Sequence, residues 1–422
     1  MKKGLIFIGI LLLLASCKDK IRQEYMANTP VYMDYESFRA SGGFEAPTAI
    51  TKAGNIYFKD NFLFMVEPDK GIHFIDNSNP SAPVQTGFLK VLGATGMAIK
   101  DNYLYVNSFI DLVVYDISSL SNPVIVDRLE DLFPTVVPVS DKNYPYQTID
   151  KNKGVVVSWE VKKITEDVTD QQPNWIGCVN CTIEISASNQ LFDTQSSVSG
   201  NSGTGVSGSI SLFTIMDNYL YIMDLGQILH PIEITDPSHP VAHEIVQTWN
   251  NVETLFPYEN YLFMGTPSGI LIYETGNPQL PTQISSLSHA RGCDPVVVQD
   301  GFAYVTVRSG GPCGGDINQL DIIDVSTIEN PTLLKSYALD NPHGLGIDGT
   351  KLFVCDGDSG LKVFDASNPI DTGDNLIKRF KNIQATDVIP FNNVAMVIGE
   401  DGIYQYDYSN PEEMVFLSKI KF

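Results

Sequence analysis

Short runs of Tyr, Leu, Phe, Val and Ile alternating with polar residues recur down the chain, and Asp, Asn, Gly or Pro breaks each run. A two-residue period of this kind predicts strands with one buried side, and the breaks predict tight turns. One phrase repeats: a strand, a hairpin turn, a second strand, a third strand ending near Asp, an Asn-Pro or Asp-Pro turn, and a fourth strand. Copies lie at 60–89, 101–129, 217–246, 259–287, 300–337, 349–380 and 392–420, spaced by about 40 residues apart from one interruption. The first turns carry Asp-Asn, Asp-Gly or Glu-Asn, which suit positive φ. Proline after Asn or Asp stops the strand and sets the next turn.

A lone four-stranded sheet leaves apolar faces bare, whereas sheets packed face to face around an axis cover them. The repeat therefore predicts an all-β fold, a seven-bladed β-propeller of four-stranded antiparallel blades spanning 31–422. An open β-solenoid is the alternative, but its repeats are usually shorter. The interruption, at about 131–205, lies between the second and third copies. Within it, Tyr146–Asp150 and Gly154–Trp159 read as a β-hairpin, and the Ser/Gly/Asn-rich 186–209 reads as a mobile loop. Such an insertion emerges on one face, either as a functional cover of the channel mouth or as a tolerated excursion. Ring closure has two readings: Val31–Tyr35 adds beside the outer strand Val415–Lys421, or it packs as a plug.

The third strands Leu112-Val113-Val114-Tyr115-Asp116, Leu320-Asp321-Ile322-Ile323-Asp324 and Leu361-Lys362-Val363-Phe364-Asp365 resemble the LVIVD repeat. The resemblance implies a bacterial extracytoplasmic β-propeller, often a lipoprotein, and carries no agreed activity. The N-terminus, MKKGLIFIGILLLLASC, agrees with it. Two lysines precede an apolar run too short to span a bilayer comfortably, and Leu14-Ala15-Ser16-Cys17 resembles a bacterial lipoprotein box. That resemblance implies a signal peptide at 1–16, lipidation of Cys17, and a polar tether over 17–30. The alternative is a plain secretory signal. Several acyl chains on one residue anchor stably. Lys18, where Asp would favour the inner membrane, points to the outer membrane of the cell envelope and leaves the leaflet open.

Charge narrows the partners. Asp and Glu outnumber Lys and Arg by 50 to 27, for a net −23. A nucleic-acid partner, which needs clustered cations, is excluded as an expectation. The expected partners are the membrane, through the lipid anchor, and an envelope protein or glycan.

Of six cysteines, Cys178 and Cys181 form a single C-x-x-C in the insertion. A zinc site lacks its second half, so a local disulfide is the better reading. Cys293 and Cys313 are a second disulfide candidate, and Cys355 reads as a buried core thiol.

Propellers take ligands at the channel mouth. Aligning the copies places Gly54, Thr95, Ser211, Glu253, Asp294, His343 and Thr386 at one position near the start of the innermost strands. Glu253, Asp294 and His343 are then candidate catalytic residues, and Arg291, Asp294, Arg308 and His343 candidate ligand-binding residues, with His289 nearby. Carboxylate, imidazole and guanidinium groups together suit a polar ligand or proton transfer. The competing reading is an ordinary hydrated channel in which Asp294 pairs with Arg291 or Arg308. No cofactor is predicted and no metal site is assigned. A divalent metal at the mouth is a minor alternative that no compact ligand motif supports. Asp356-Gly357-Asp358-Ser359-Gly360 resembles part of a calcium loop but lacks the downstream Glu, so a hairpin turn is expected. Nucleophile-elbow, H-E-x-x-H and Walker patterns are absent from the sequence. The leading expectation is a membrane-anchored binding or interaction module. The alternative is an extracytoplasmic hydrolase or lyase acting on a small polar or sugar-like substrate at the channel mouth.

Overall fold

A computed structural model describes residues 21–168, 175–176, 204–209, 211–289, 292, 295–310 and 315–422. The chain divides into two compact units, 1–35 with 139–184, and 36–138 with 185–422.

In the smaller unit, strand Ile21–Met33 pairs antiparallel with Val155–Val168 along its whole length and takes Tyr146–Gln147 as a parallel neighbour at Asn28. Trp175–Ile176 completes a four-stranded sheet. Residues 21–33 thus form a strand, although the polar stretch up to residue 30 reads as a tether. The segments around Tyr146 and Val155, expected to pair as one hairpin, instead flank the same strand. Asn28 explains part of this, since its Nδ2 donates to the carbonyls of Asp141 and Tyr144, each at 2.8 Å, and draws that loop alongside.

Among the described residues the larger unit holds seven sheets, one per copy of the repeat. The first is built from Ile56–Lys59, Phe62–Glu67, Gly71–Asp76 and Val84–Lys90. Gly43–Glu45 covers its outer edge. The second comprises Met97–Lys100, Tyr103–Ser108, Asp111–Asp116 and Val124–Leu129. The third begins at Phe213, the fourth at Thr254, the fifth at Val296, the sixth at Leu345 and the seventh at Ala385, each antiparallel in chain order.

The repeat's grammar has a local cause at each step. In all seven sheets the turn between the first two strands starts with a residue at φ near 50°: Asp60, Asp101, Asp217, Glu259, Asp300, Gly349 and Asn392. Backbone N–H groups just past the third strand then bond back to that turn, as Ile117 does to Asn102 and Tyr408 to Asn393. The Asp that ends many third strands accepts the N–H of a Ser two residues on, at 2.8–2.9 Å for Asp76, Asp116, Asp324, Asp365 and Asp407. This Asx turn stops the strand and satisfies the carboxylate.

Successive sheets pack through their apolar faces, and their first strands neighbour one another in order. One buried cluster runs through the fourth, fifth and sixth sheets, including Phe263, Val305 and Leu352. Another joins the seventh sheet (Met396, Ile398, Ile403) to the first (Ile56, Leu63, Met65). The same junction carries two amide bonds, Asn77 Nδ2 to Gln405 Oε1 at 2.9 Å and Gln405 Nε2 to Asn77 Oδ1 at 2.7 Å. Val415–Lys421 pairs within its own sheet as the fourth strand, and Val31–Met33 pairs with residues 155–158 of the smaller unit. The reading in which Val31–Tyr35 adds beside that outer strand is therefore not what these pairings show.

Candidate functional site

Three of the aligned mouth positions, Gly54, Glu253 and His343, sit just before the first strands of their sheets. The N–H groups of Gly54, Glu253 and His343 donate to the carbonyls of Val66, Gly265 and Cys355, at 2.8, 2.8 and 2.7 Å. Each partner lies twelve residues on, so these positions are equivalent in the backbone.

Around His343 the sheets are stitched together. Thr306 of the fifth sheet donates its hydroxyl to the His343 carbonyl at 2.6 Å. The Gly344 N–H donates to the Thr386 carbonyl of the seventh sheet at 3.0 Å. The Leu345 N–H donates to Ser209 Oγ at 2.9 Å. His343 is buried, whereas Glu253, His289 and Arg308 are partly exposed. Arg291, Asp294, Cys293 and Cys313 lie outside the described residues, as do Cys17, Cys178 and Cys181. Cys355 is fully buried.

Ser209 belongs to a segment that composition gives no reason to place inside the fold. Thr204 bridges Lys100 of the second sheet, and Val206–Ser207 pairs with Ile56–Lys59 of the first. Ser209 then reaches the sixth sheet, and by Phe213 the chain has entered the third. A strap from the end of the insertion therefore runs along the innermost strands. Gly205 makes the close approach feasible, since a Cβ there would stand 2.2 Å from Tyr57 Cε1. Burial pushes the Tyr57 phenol up to about 12, and its hydroxyl donates to the Ile99 carbonyl at 3.1 Å.

Asp387, two residues into the seventh sheet, was not among the expected site residues. It is fully buried, and a Cβ on Gly344 would lie 2.5 Å from its Oδ1. An acid directly ahead of the apolar run Val388-Ile389-Pro390-Phe391 was the available signal.

Other buried charges fall on a second pattern. An acid at or just past the end of the second strand meets a base six residues later in Glu67/His73, Asp224/His230 and Asp356/Lys362, at 2.8, 3.8 and 2.5 Å. Burial opposes the Glu67 charge, but hydrogen bonds from Lys70, Thr51 and His73 outweigh it and hold this carboxyl at about 2. Burial keeps His73 below its usual range despite Glu67. Gln85 Nε2 meets the other imidazole nitrogen, Nδ1, at 2.7 Å. This network is satisfied on all sides and serves the fold. Asp356–Gly360 forms the expected turn, with Gly357 and Gly360 at positive φ. Asp356 accepts the Asn341 N–H at 2.7 Å. Among the described residues, no three His, Cys, Asp or Glu side chains converge as metal ligands.

Comparison with known proteins follows these contours. The LVIVD repeat model matches residues 51–89, 93–131, 207–248 and 290–338. No curated protein matches the chain. Among solved structures, the computationally designed Ika8 protein is similar at 12% identity and a TM-score of 0.51, over 89% of each chain. BamB from Moraxella catarrhalis is similar at 9% identity and a TM-score of 0.47, over 89% of this chain and 91% of that one. Hsv2p of Kluyveromyces lactis is similar at 9% identity and 0.48, over 88% and 99%.

Proposed function

Starting from a chain that carries LVIVD repeats on an all-β propeller scaffold, we propose that the protein is an interaction module of the bacterial cell envelope. Its seven sheets act as seven blades, and lipid on Cys17 holds it at the membrane, with the outer membrane as its address. Its partner is an envelope protein or glycan bound on an outer face of the ring.

The observation that carries this reading is the strap. Residues 204–209 pair with the first strand of the first sheet and bond to that of the sixth. Their backbone thus lies along first strands, the strands that line the centre of a propeller. What remains available is a rigid face, with its strand starts cross-tied through Thr306, Gly344 and Leu345. Rigid, pre-organised surfaces lose little entropy on binding. Closure into seven blades is supported by the apolar cluster and the paired amides joining the last sheet to the first.

Two experiments test the proposal. Cys17→Ser should move the protein from the membrane fraction to the soluble fraction and abolish palmitate labelling; retention in the membrane would overturn the anchor. Neither the native protein nor the Asp294→Ala, His343→Ala variant should turn over hydrolase or lyase substrates. Turnover by the native protein that this pair abolishes, with melting unchanged, would replace the interaction reading with an enzyme.

A further inference from the structure

Thirteen non-glycine residues adopt positive φ, and ten of them are Asp, Asn or Glu in turns. The other three, Phe109, Leu225 and Trp249, are bulky and apolar, a departure for such side chains. Phe109 is buried. Leu225 and Trp249, at φ 53° and 55°, lie on two loops at the same end of the third sheet. Backbone strain retained twice at one place points to a use for the conformation.

The two loops hold each other. Buried Thr248 donates its N–H to the Gln227 carbonyl at 2.9 Å and its hydroxyl to the same oxygen at 3.1 Å. The Val252 N–H donates to the Gly226 carbonyl at 2.6 Å, and Asn250 Nδ2 to the Thr248 carbonyl at 2.7 Å. A Cβ on Gly226 would stand 2.6 Å from Asn251 Oδ1, so that amide borders the first loop. Thr248 is buried while its neighbours Gln247 and Trp249 are exposed, Trp249 to 81%. A rigid frame therefore displays a whole indole in water.

The surroundings of that indole identify its occupant. Residues 225–228 and 245–252 contain no charged side chain, so an ionic partner finds no counter-charge within the two loops. Beside Trp249, Ile245 is their one exposed apolar residue, and the surface lacks the broad apolar core of a protein interface. What the loops supply is four amides, Gln227, Gln247, Asn250 and Asn251, with both glutamines exposed. A primary amide presents a donor and an acceptor side by side, which match two adjacent hydroxyls. The indole adds a flat apolar plate on which the C–H face of a pyranose ring can be buried. Because the frame is already rigid, little entropy is lost on binding.

We propose that the paired loops at Trp249 form a binding site for an uncharged glycan, with one sugar ring lying on the indole and the amides of Gln227 and Gln247 bonding its hydroxyls. The proposal rests on the interaction reading above and assigns its partner class.

The test titrates the full chain by calorimetry with maltohexaose, cellohexaose, laminarihexaose, xylohexaose, mannohexaose and chitohexaose. Saturable binding of at least one is expected, with a Kd that added salt leaves unchanged, since no ion pair forms. Kd should rise at least about tenfold in Trp249→Asn, which tolerates the backbone conformation. Trp249→Phe should keep most of the affinity. Gln227→Ala with Gln247→Ala should also raise Kd about tenfold. If Trp249→Asn lowers the melting temperature, the glutamine pair decides. No binding of any hexasaccharide, or losses below twofold in the deciding variant, would overturn the site while leaving the interaction reading in place. Release of reducing ends from a bound hexasaccharide would overturn the interaction reading and this assignment with it, by making the protein a hydrolase.

Discussion

At the residue scale, the buried ion pairs are where single changes act most strongly. Asp111 is fully buried and accepts from Arg39 Nε and Arg128 Nη1, both at 3.0 Å, and from the Asp131 N–H at 2.8 Å. Asp111→Ala leaves two cations facing an empty acceptor site, so a loss of about 3–5 kcal/mol is expected by urea denaturation. The Glu67–His73 pair makes stability depend on pH, and the sign follows from the protons bound. His73 titrates lower in the folded state than its ordinary ~6.5, so below that pH the unfolded chain takes up a proton that the fold refuses. Stability therefore falls as pH drops through the sixes. Glu67, held at about 2, adds stability above its ordinary ~4.3 that is lost as pH falls towards 2. Denaturation of His73→Gln at stepped pH should lose the upper of these two windows and keep the lower. An unchanged upper window would place the titration elsewhere.

At the element scale, the third and fourth strands of several sheets crowd at one glycine. Gly71, Gly269 and Gly402 open their third strands at φ 151°, 145° and 157°. A Cβ there would meet the carbonyl oxygens of Leu89, Leu287 and Ile420 at 2.1, 2.1 and 2.4 Å. Backbone cannot yield as a flexible side chain can. Gly269→Ala should thus cost about 2–4 kcal/mol. It should also loosen the outer strand Thr282–Ser288, seen as faster amide exchange there than in Tyr261–Thr266. Uniform exchange rates across the sheet would show that the strand pair absorbs the methyl group. The hairpin turns were legible beforehand because Asp-Asn and Asp-Gly announce positive φ locally. The pairing of Ile21–Met33 was not, since a polar stretch becomes a strand only when Val155–Val168 supplies its hydrogen bonds.

At the scale of the molecule, stability is a property of the ring. The Asn77–Gln405 amide pair is buried between the first and last sheets, and Ser418 Oγ donates to the Pro80 carbonyl at 2.5 Å across the same junction. Asn77→Leu strands the Gln405 amide without its partner, a cost of about 1–3 kcal/mol. Because each face is buried only by its neighbour, removing residues 382–422 should do far more. Apolar faces of the sixth and first sheets would be bared together, and unfolding should change from one sharp transition to a broad one in circular dichroism. A single sharp transition in the truncated chain would show that the sheets do not depend on closure.

The sequence by itself determined the strands of the seven repeats and the turns between them, because these rest on local chemistry: side-chain alternation, positive-φ residues and the Asp that caps five of the third strands. The regular spacing within each copy also aligned Gly54, Glu253 and His343, whose N–H groups make the same bond to the second strand. Only the tertiary structure decided that Ser209 would reach Leu345, that Asp387 would be buried beside Gly344, and that an amide pair would join residues 77 and 405. Those contacts unite residues distant in the chain, and no local pattern encodes them, because the free energy that selects them is the packing of one whole sheet against the next.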